Sequence, residues 1–387
     1  MISAVFVLVF TFLLAQLVLA RYRQELCHPT RVFNFLFFYH VLLTIVYYLY
    51  AKAEGSDAIA YYQKVETFYR SYTWLGHYGV GTFFIEFIGY PLVHFFGFSF
   101  EAVMLSFSFL GYLGFFFFYL AITKFIEFRH KLFGFDIILL LLFLPNIHFW
   151  SSSFGKGSVI FFGLGLFFYG LQSFSRNWLL MMLGAVIVFH VRAHILLVLL
   201  LGMLIAFFFS SKGIKGWQRA LFIIVTIFVL SPVADTFLEY ARIEETDSDT
   251  IQNFIQHRGS ELGKADSSVE INNYNQLEKL FAFLFRPLFF DAPGALGLIV
   301  SFENLLYLFL FIKLFSIRFL RFLISSHWVI KFSLIAFLGI SVALAQVSGN
   351  LGLAIRQKSQ IMFLFFFVLL AYADWAYSQY GKKVIGE

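Results

Sequence analysis

The chain has 387 residues, 60% of them hydrophobic and 13% charged, with 58 phenylalanines, one cysteine and a formal net charge of +6. Ordinary soluble domains run at roughly 45–50% apolar and about 25% charged, so a water-soluble fold is excluded for want of a place to hide the apolar surface. A single cysteine excludes an intramolecular disulfide and a cysteine-rich metal site, and basic residues beside apolar runs record membrane topology, so no nucleic-acid partner is expected.

In chain order, the first apolar run, Met1 to Ala20, lacks a basic start and a small-residue cleavage site, which predicts a retained helix and not a signal peptide. Runs such as "VFVLVFTFLLAQLVLA", "YLGFFFFYLA" and "IMFLFFFVLLAYA" come near the ~20 residues that a helix needs to cross a bilayer core. They show no ten-residue alternation, so helices are favoured over a β-barrel. The expected fold is all-α: a polytopic integral membrane helical bundle of about eleven transmembrane helices, forming one domain over 1–387.

The short basic segments "RYRQELCHPTR", "KFIEFRHK", "SSKGIKGWQR", "SIRFLRF" and "GKKVIGE" recur at alternate connections. The positive-inside rule makes them cytoplasmic, which puts the N-terminus outside, the C-terminus inside and the protein in the cytoplasmic membrane. This orientation requires that Gly81 to Phe100, with Glu86, Gly89, Pro91 and His94, does not fully cross. The first long outer loop, 52–101, is therefore predicted to hold a re-entrant or interfacial helix pair. A twelve-span alternative leaves Arg21 to Arg31 outside and is disfavoured. The other long outer segment, 241–293, combines acidic "ARIEETDSDT" with "VEINNYNQLEKLF", which reads as an amphipathic helix returning to the membrane; the segment is either a solvated loop or a lid. No internal repeat is visible, which argues against inverted-repeat transporter symmetry.

The outer stretches hold the candidate chemistry. "EGSDAIAYYQ" places Asp57 after a Gly-Ser turn, as a helix N-cap, a metal ligand or a general base, followed by Tyr61 and Tyr62, whose rings suit either the membrane belt or a sugar face. In "LPNIHFWSSSFGKGS", Pro145 ends an apolar run and the chain is expected to turn at the outer face. There Trp150 suits the interface, Gly155 and Gly157 permit close approach, and Lys156 with the next helix N-terminus forms a phosphate cradle; the alternative is a plain helical hairpin. "FHVRAHILLV" groups His190, Arg192 and His194 at a hinge between apolar helices, facing a buried anion or snorkelling to headgroups. Arg286 precedes a proline in "FLFRPLFFDAPG", and Glu303 with Asn304 lies inside the following span, where the carboxylate needs a partner, for which an arginine of another outer motif is the natural candidate. Arg356 and Lys358 of "NLGLAIRQKSQ" flank the last span, a commonplace position for charge.

Taken together, these residues ask for an anionic, hydroxyl-rich ligand at the outer face, which a lipid-linked pyrophosphate sugar satisfies. No nucleotide-binding glycine loop is present, which argues against a cytosolic nucleotide-sugar donor.

The order of "GSDAIAYY", "LPNIHFWSSSFGKGS", "VRAH", "FRPLFFDAPG…SFEN" and "GNLGLAIRQK" resembles the integral-membrane polymerases of surface-polysaccharide loci, the Wzy or EpsG type, with a wider likeness to GT-C glycosyltransferases. The resemblance implies transfer of a polyprenyl-diphosphate-linked glycan at the outer face, as in O-antigen or exopolysaccharide synthesis. It implies that Arg192, Arg286 and Arg356 contact the diphosphate, with Lys156 assisting and His190 and Asn304 nearby. Trp150, Tyr61 and Tyr62 would then hold sugar, and Asp57, Glu303 and His194 are the catalytic candidates. Asp57 matches the early acidic position that GT-C enzymes use as base or metal ligand, although a second span precedes it here. No cofactor is implied beyond an optional divalent cation, and the partners are membrane lipids and other polysaccharide-assembly proteins. Two alternatives stay open: a GT-C-like transferase using a polyprenyl-phosphate sugar, and a non-enzymatic lipid or oligosaccharide transporter or envelope-complex subunit.

Overall fold

An apolar run in hydrocarbon has no water to bond its backbone, so it closes its hydrogen bonds within itself as a helix. In the computed structural model, which describes residues 2–128, 130–132, 134–209, 216–241, 274–292, 294–348 and 351–385, this is what the runs do. The chain forms two units, Met1–Arg192 and Ala193–Glu387.

The first unit begins with α1 (Ile2–Arg21) and α2 (Thr30–Glu54). Helix α1 buries Val7, Thr11, Ala15 and Leu19 along one stripe and turns Val5, Phe6, Val9, Phe10, Leu13 and Leu17 outward. Apolar surface on that scale fits lipid and not water. The segment 52–101 carries α3 (Asp57–Glu66) and α4 (Thr82–His94), which pack on each other, so the expected pair of short helices is present. There follow α5 (Phe100–Thr123), a two-residue antiparallel hairpin of β1 (Lys131–Leu132) and β2 (Phe135–Asp136), and α6 (Ile137–Leu142). Then come α7 (Pro145–Ser151), α8 (Lys156–Gln172) and α9 (Phe174–Phe208). Helix α9 has non-helical backbone at Asn177 and at Arg192, the last residue of the unit.

The core of this unit is the α5–α8 pair, whose glycines let two backbones meet. A Cβ at Gly165 would lie 2.8 Å from the Gly114 carbonyl oxygen, and one at Gly111 would lie 2.0 Å from that of Ser151. Neither obstacle is a flexible chain end. Gly165→Leu is therefore expected to cost at least the ~1–3 kcal/mol of an overpacked core and to lower the yield of monodisperse protein on size exclusion. Gly202→Ala, whose nearest neighbour lies at 3.5 Å, should leave that yield unchanged.

The second unit holds the remainder of α9, then α10 (Gly216–Ala241), α11 (Gln276–Phe285), α12 (Gly294–Ile312), α13 (Ile317–Ser325), α14 (Trp328–Val347), α15 (Leu351–Ser359) and α16 (Met362–Ile385). Helix α11 is the expected amphipathic segment: Asn275 caps it in a reciprocal capping box with Glu278, Leu277 faces out, and Ala282 to Phe285 are buried. It packs on α14 and α15, while α14 packs on α16. The stretch 242–273, read as a loop or lid, lies outside the described residues, as do 210–215 of one basic segment.

Among the described residues, six helices are long and apolar enough to cross a membrane: α1, α2, α5, α9, α14 and α16 up to Gln379. A seventh results if Leu296–Ile312 and Ile317–Ser325, bent by 79°, form one broken span. These stand against an expectation of about eleven. The difference arises where apolar runs become short helices, such as Ile137–Ser151, and at α9, which the sequence reading divides at Arg192. The structure too breaks the helix there, at the non-helical backbone of Arg192.

Candidate functional site

In the second unit, the charged and amide side chains of three motifs meet around Lys358. Helix α15 places Leu351, Ala354, Ile355 and Lys358 on its buried face, so the lysine points where the apolar residues point. Its ammonium, fully buried, donates to three acceptors: Asn304 Oδ1 at 2.6 Å, the Arg286 carbonyl at 3.0 Å and the Leu284 carbonyl at 3.1 Å. Three acceptors match the three N–H bonds of an ammonium. Burial pushes the Lys358 amine down to about 7, against the opposing pull of Glu303 and Asp291. Asn304, also fully buried, passes the connection on by donating from Nδ2 to the Pro287 carbonyl at 2.7 Å.

Arg286 closes α11 as its C-cap residue. Its Nε donates to Asp291 Oδ2 and its Nη1 donates to the Tyr274 hydroxyl at 2.9 Å, while Asp291 Oδ1 accepts from the Leu288 backbone N–H. This fixes the plane of the guanidinium. Among the described residues Nη2 donates to none, and the side chain is 17% exposed. Glu303, at 5% exposure, accepts from the Tyr307 hydroxyl at 2.7 Å. Lys358 is an electrostatic partner of Glu303. Arg356 is half-buried on α15, and His194 half-buried just past the Arg192 break.

In the first unit, the candidates separate. Asp57 is not the N-cap of α3: Ser56 takes that position, its Oγ accepting from the Ile59 N–H at 3.4 Å, and Asp57 stands exposed in the first turn. Among the described residues no three His, Cys, Asp or Glu side chains converge on a metal-sized site. Tyr61, expected to offer its ring to a sugar, is buried against Phe154, and Tyr62 spends its hydroxyl on the Phe98 carbonyl. The aromatic rings exposed in this segment are those of Tyr69, Tyr72, Trp74, Tyr78, Phe83, Phe95 and Phe96.

The stretch Leu144 to Ser158 is corrected most. Pro145 starts α7 in place of ending a run into an open turn, because its fixed φ suits the first helical position. The polar residues are then buried: His148 and Ser152 at 0%, Ser153 at 6%. His148 Nε2 donates to the Leu142 carbonyl at 2.9 Å, leaving its Nδ1 to accept from His40 Nδ1 at 2.7 Å, which staples α7 to α2. Trp150 packs edge-on to Tyr47 and Phe149 and is half-buried. Ser158 bonds back to the Ser153 and Gly155 carbonyls. Lys156, half-buried, is the first residue of α8.

His190 is docked onto the loop that leads into α4. Its Nε2 meets the Tyr78 hydroxyl at 2.9 Å, its Nδ1 donates to the Val186 carbonyl at 2.8 Å, and its own carbonyl accepts from the Gly81 N–H at 2.6 Å. Gly81 reaches it with a φ of 71°, a conformation that favours glycine.

The sequence did not single out Tyr274, Asp291 or Tyr307, and it left Lys358 as an ordinary flanking charge. Lys358 had a usable signal, because its spacing of seven and three from Leu351 and Ile355 puts it on their face of α15.

The arrangement defines a multi-pass, all-α membrane protein that keeps a hydrogen-bonded ionic cluster inside one of its two helical units. No family model, no curated protein and no solved structure matches the chain.

Proposed function

We propose that this protein is an integral-membrane glycosyltransferase of the polysaccharide-polymerase type, acting on a polyprenyl-diphosphate-linked glycan at the outer face of the cytoplasmic membrane. The observation that carries the reading is the retention of Arg286 and Lys358, with Glu303 and Asn304, inside an apolar helical unit. Ionisable groups in such surroundings are costly and are kept for function. Arg286 is held in plane by Asp291 and Tyr274 with Nη2 uncommitted, the posture in which a guanidinium meets a phosphate.

In the transfer, an acceptor hydroxyl oxygen bonds to the anomeric carbon. The bond from that carbon to the diphosphate oxygen breaks, and the diphosphate departs with the electron pair. Arginine offsets the charge that develops on it. The acceptor proton goes to a carboxylate base, a role for which the resemblance names Asp57. Glu303 is already occupied by Tyr307.

The test is complementation of cells deleted for this chain. Asp57→Asn is expected to lower polymer formation by about 10²–10⁴-fold, the usual contribution of a general base, and Arg192→Ala to shorten the polymer. Surface polysaccharide of normal length and amount from Asp57→Asn would remove the base assignment; the same result from Arg192→Ala would count against a diphosphate donor.

A further inference from the structure

A second polar region of the first unit takes no part in the proposed transfer. At the end of the unit where α1, α5 and α8 finish, a cavity of about 710 Å³ is lined by Arg21, Lys124 and Arg176, with one carboxylate, Glu25. A volume of this size is that of a small-molecule site.

Glu25 is already neutralised. Lys124 Nζ lies 3.3 Å from Glu25 Oε2, and the Tyr169 hydroxyl donates to both carboxylate oxygens at 2.9 and 3.0 Å. Lys124 also donates to Ser173 Oγ at 2.6 Å and sits 3.9 Å over the Tyr169 ring. Among the described residues, the two arginine side chains have no such partner. Arg21 lies 5.5 Å over the Tyr22 ring, and among the described residues the Arg176 side chain makes no hydrogen bond or ion pair.

Arg21 and Lys124 follow the ends of α1 and α5, where a cation is favoured by the helix dipole. Arg176 does not. It stands in the opening turn of α9, beside the break at Asn177, with no acidic residue in that turn. A cation at a helix N-terminus is opposed by the dipole unless an anion compensates it. The unit therefore presents two uncommitted guanidinium groups, one of them in an electrostatically unfavourable place, around a cavity whose only carboxylate is occupied.

We infer that this cavity is a binding site for a phosphoryl group, carried by an anionic phospholipid headgroup from the adjoining leaflet. The guanidinium groups meet the phosphate through charge-assisted hydrogen bonds, and Gln24 and Asn177 supply amides for headgroup hydroxyls. Basic pockets between transmembrane helices bind such headgroups in this way. The volume exceeds the need of a bare phosphate ion.

The test uses the full chain in zwitterionic detergent, with short-chain phosphatidylglycerol, short-chain phosphatidylcholine and inorganic phosphate as probes, read by native mass spectrometry and by thermal shift. The expected result is retention of phosphatidylglycerol over phosphatidylcholine by tenfold or more. Arg176→Gln should abolish that preference without changing the melting temperature in the absence of lipid. Gln24→Glu, at an exposed position, should do the same by adding negative charge, which covers the case in which Arg176→Gln folds poorly. Inorganic phosphate competing at sub-millimolar concentration, with no lipid preference, would support the phosphoryl site and reassign it to a soluble ligand. Equal retention of both lipids with no effect of phosphate, or an unchanged preference in both variants, would overturn it.

Discussion

Replacing Lys358 with methionine is expected to destabilise the protein by about 1–3 kcal/mol or more, the cost of leaving buried acceptors without their donor. Asn304 Oδ1 and the carbonyls of Leu284 and Arg286 lose their donor at once, and Glu303 and Asp291 lose the cation that faces them. Replacing both members of the side-chain pair, Lys358→Met with Asn304→Leu, should recover part of this loss, since apolar groups in both places leave fewer polar atoms stranded. The wild type should also show a characteristic pH dependence. The folded-state value of Lys358, about 7, lies below its ordinary 10.5. Between these values the unfolded chain binds the proton more readily than the folded one, so stability rises with pH across that window. Below about 7 the amine is charged in both states and the burial penalty is fully felt. Thermal melts from pH 6.5 to 9 should therefore climb for the wild type and lie flatter for Lys358→Met. A wild-type curve that is flat or falls over this range would contradict the buried-amine account.

Arg286→Ala is expected to lower glycan transfer by about 10²–10³-fold, the range observed when one preorganised donor to a developing charge is removed. The guanidinium also pairs with Asp291, so a loss of activity alone would not separate contact with the diphosphate from support of the loop. Asp291→Asn separates them. It weakens the same pair from the other side while keeping Arg286 in place, and the amide oxygen can still accept from Nε. If Arg286 meets the leaving diphosphate, Asp291→Asn should retain most of the activity that Arg286→Ala destroys. Equal losses in the two variants would reduce Arg286 to a structural residue.

Much of the architecture was legible because hydrocarbon imposes it. Helix α1 follows directly from an apolar run with polar ends, and α11 from the Asn275–Glu278 box and an amphipathic repeat. The span count was less legible, because hydropathy registers apolar runs and does not register whether a run stays one helix. Leu144 to Ser158 shows the limit for polar residues. Serines, histidine and tryptophan in one stretch look like an exposed turn, yet a proline suited to a first helical turn and a histidine partner a hundred residues away draw them inside. Tyr61 misled for the same reason: an amphipathic segment has an inner face, and the packing of Phe154 decided which tyrosine takes it. Lys358 shows the same limit: a lysine that looked like an ordinary flanking charge lies on the buried face of a nine-residue helix.

The purified chain in nanodiscs, given a polyprenyl-diphosphate-linked oligosaccharide with a fluorescent label, tests the central claim most directly. The account predicts a ladder of products separated by one repeat unit, lost in Arg286→Ala. A single sugar added from a polyprenyl-monophosphate donor in place of a ladder, or movement of the labelled carrier between leaflets with no elongation, would contradict it.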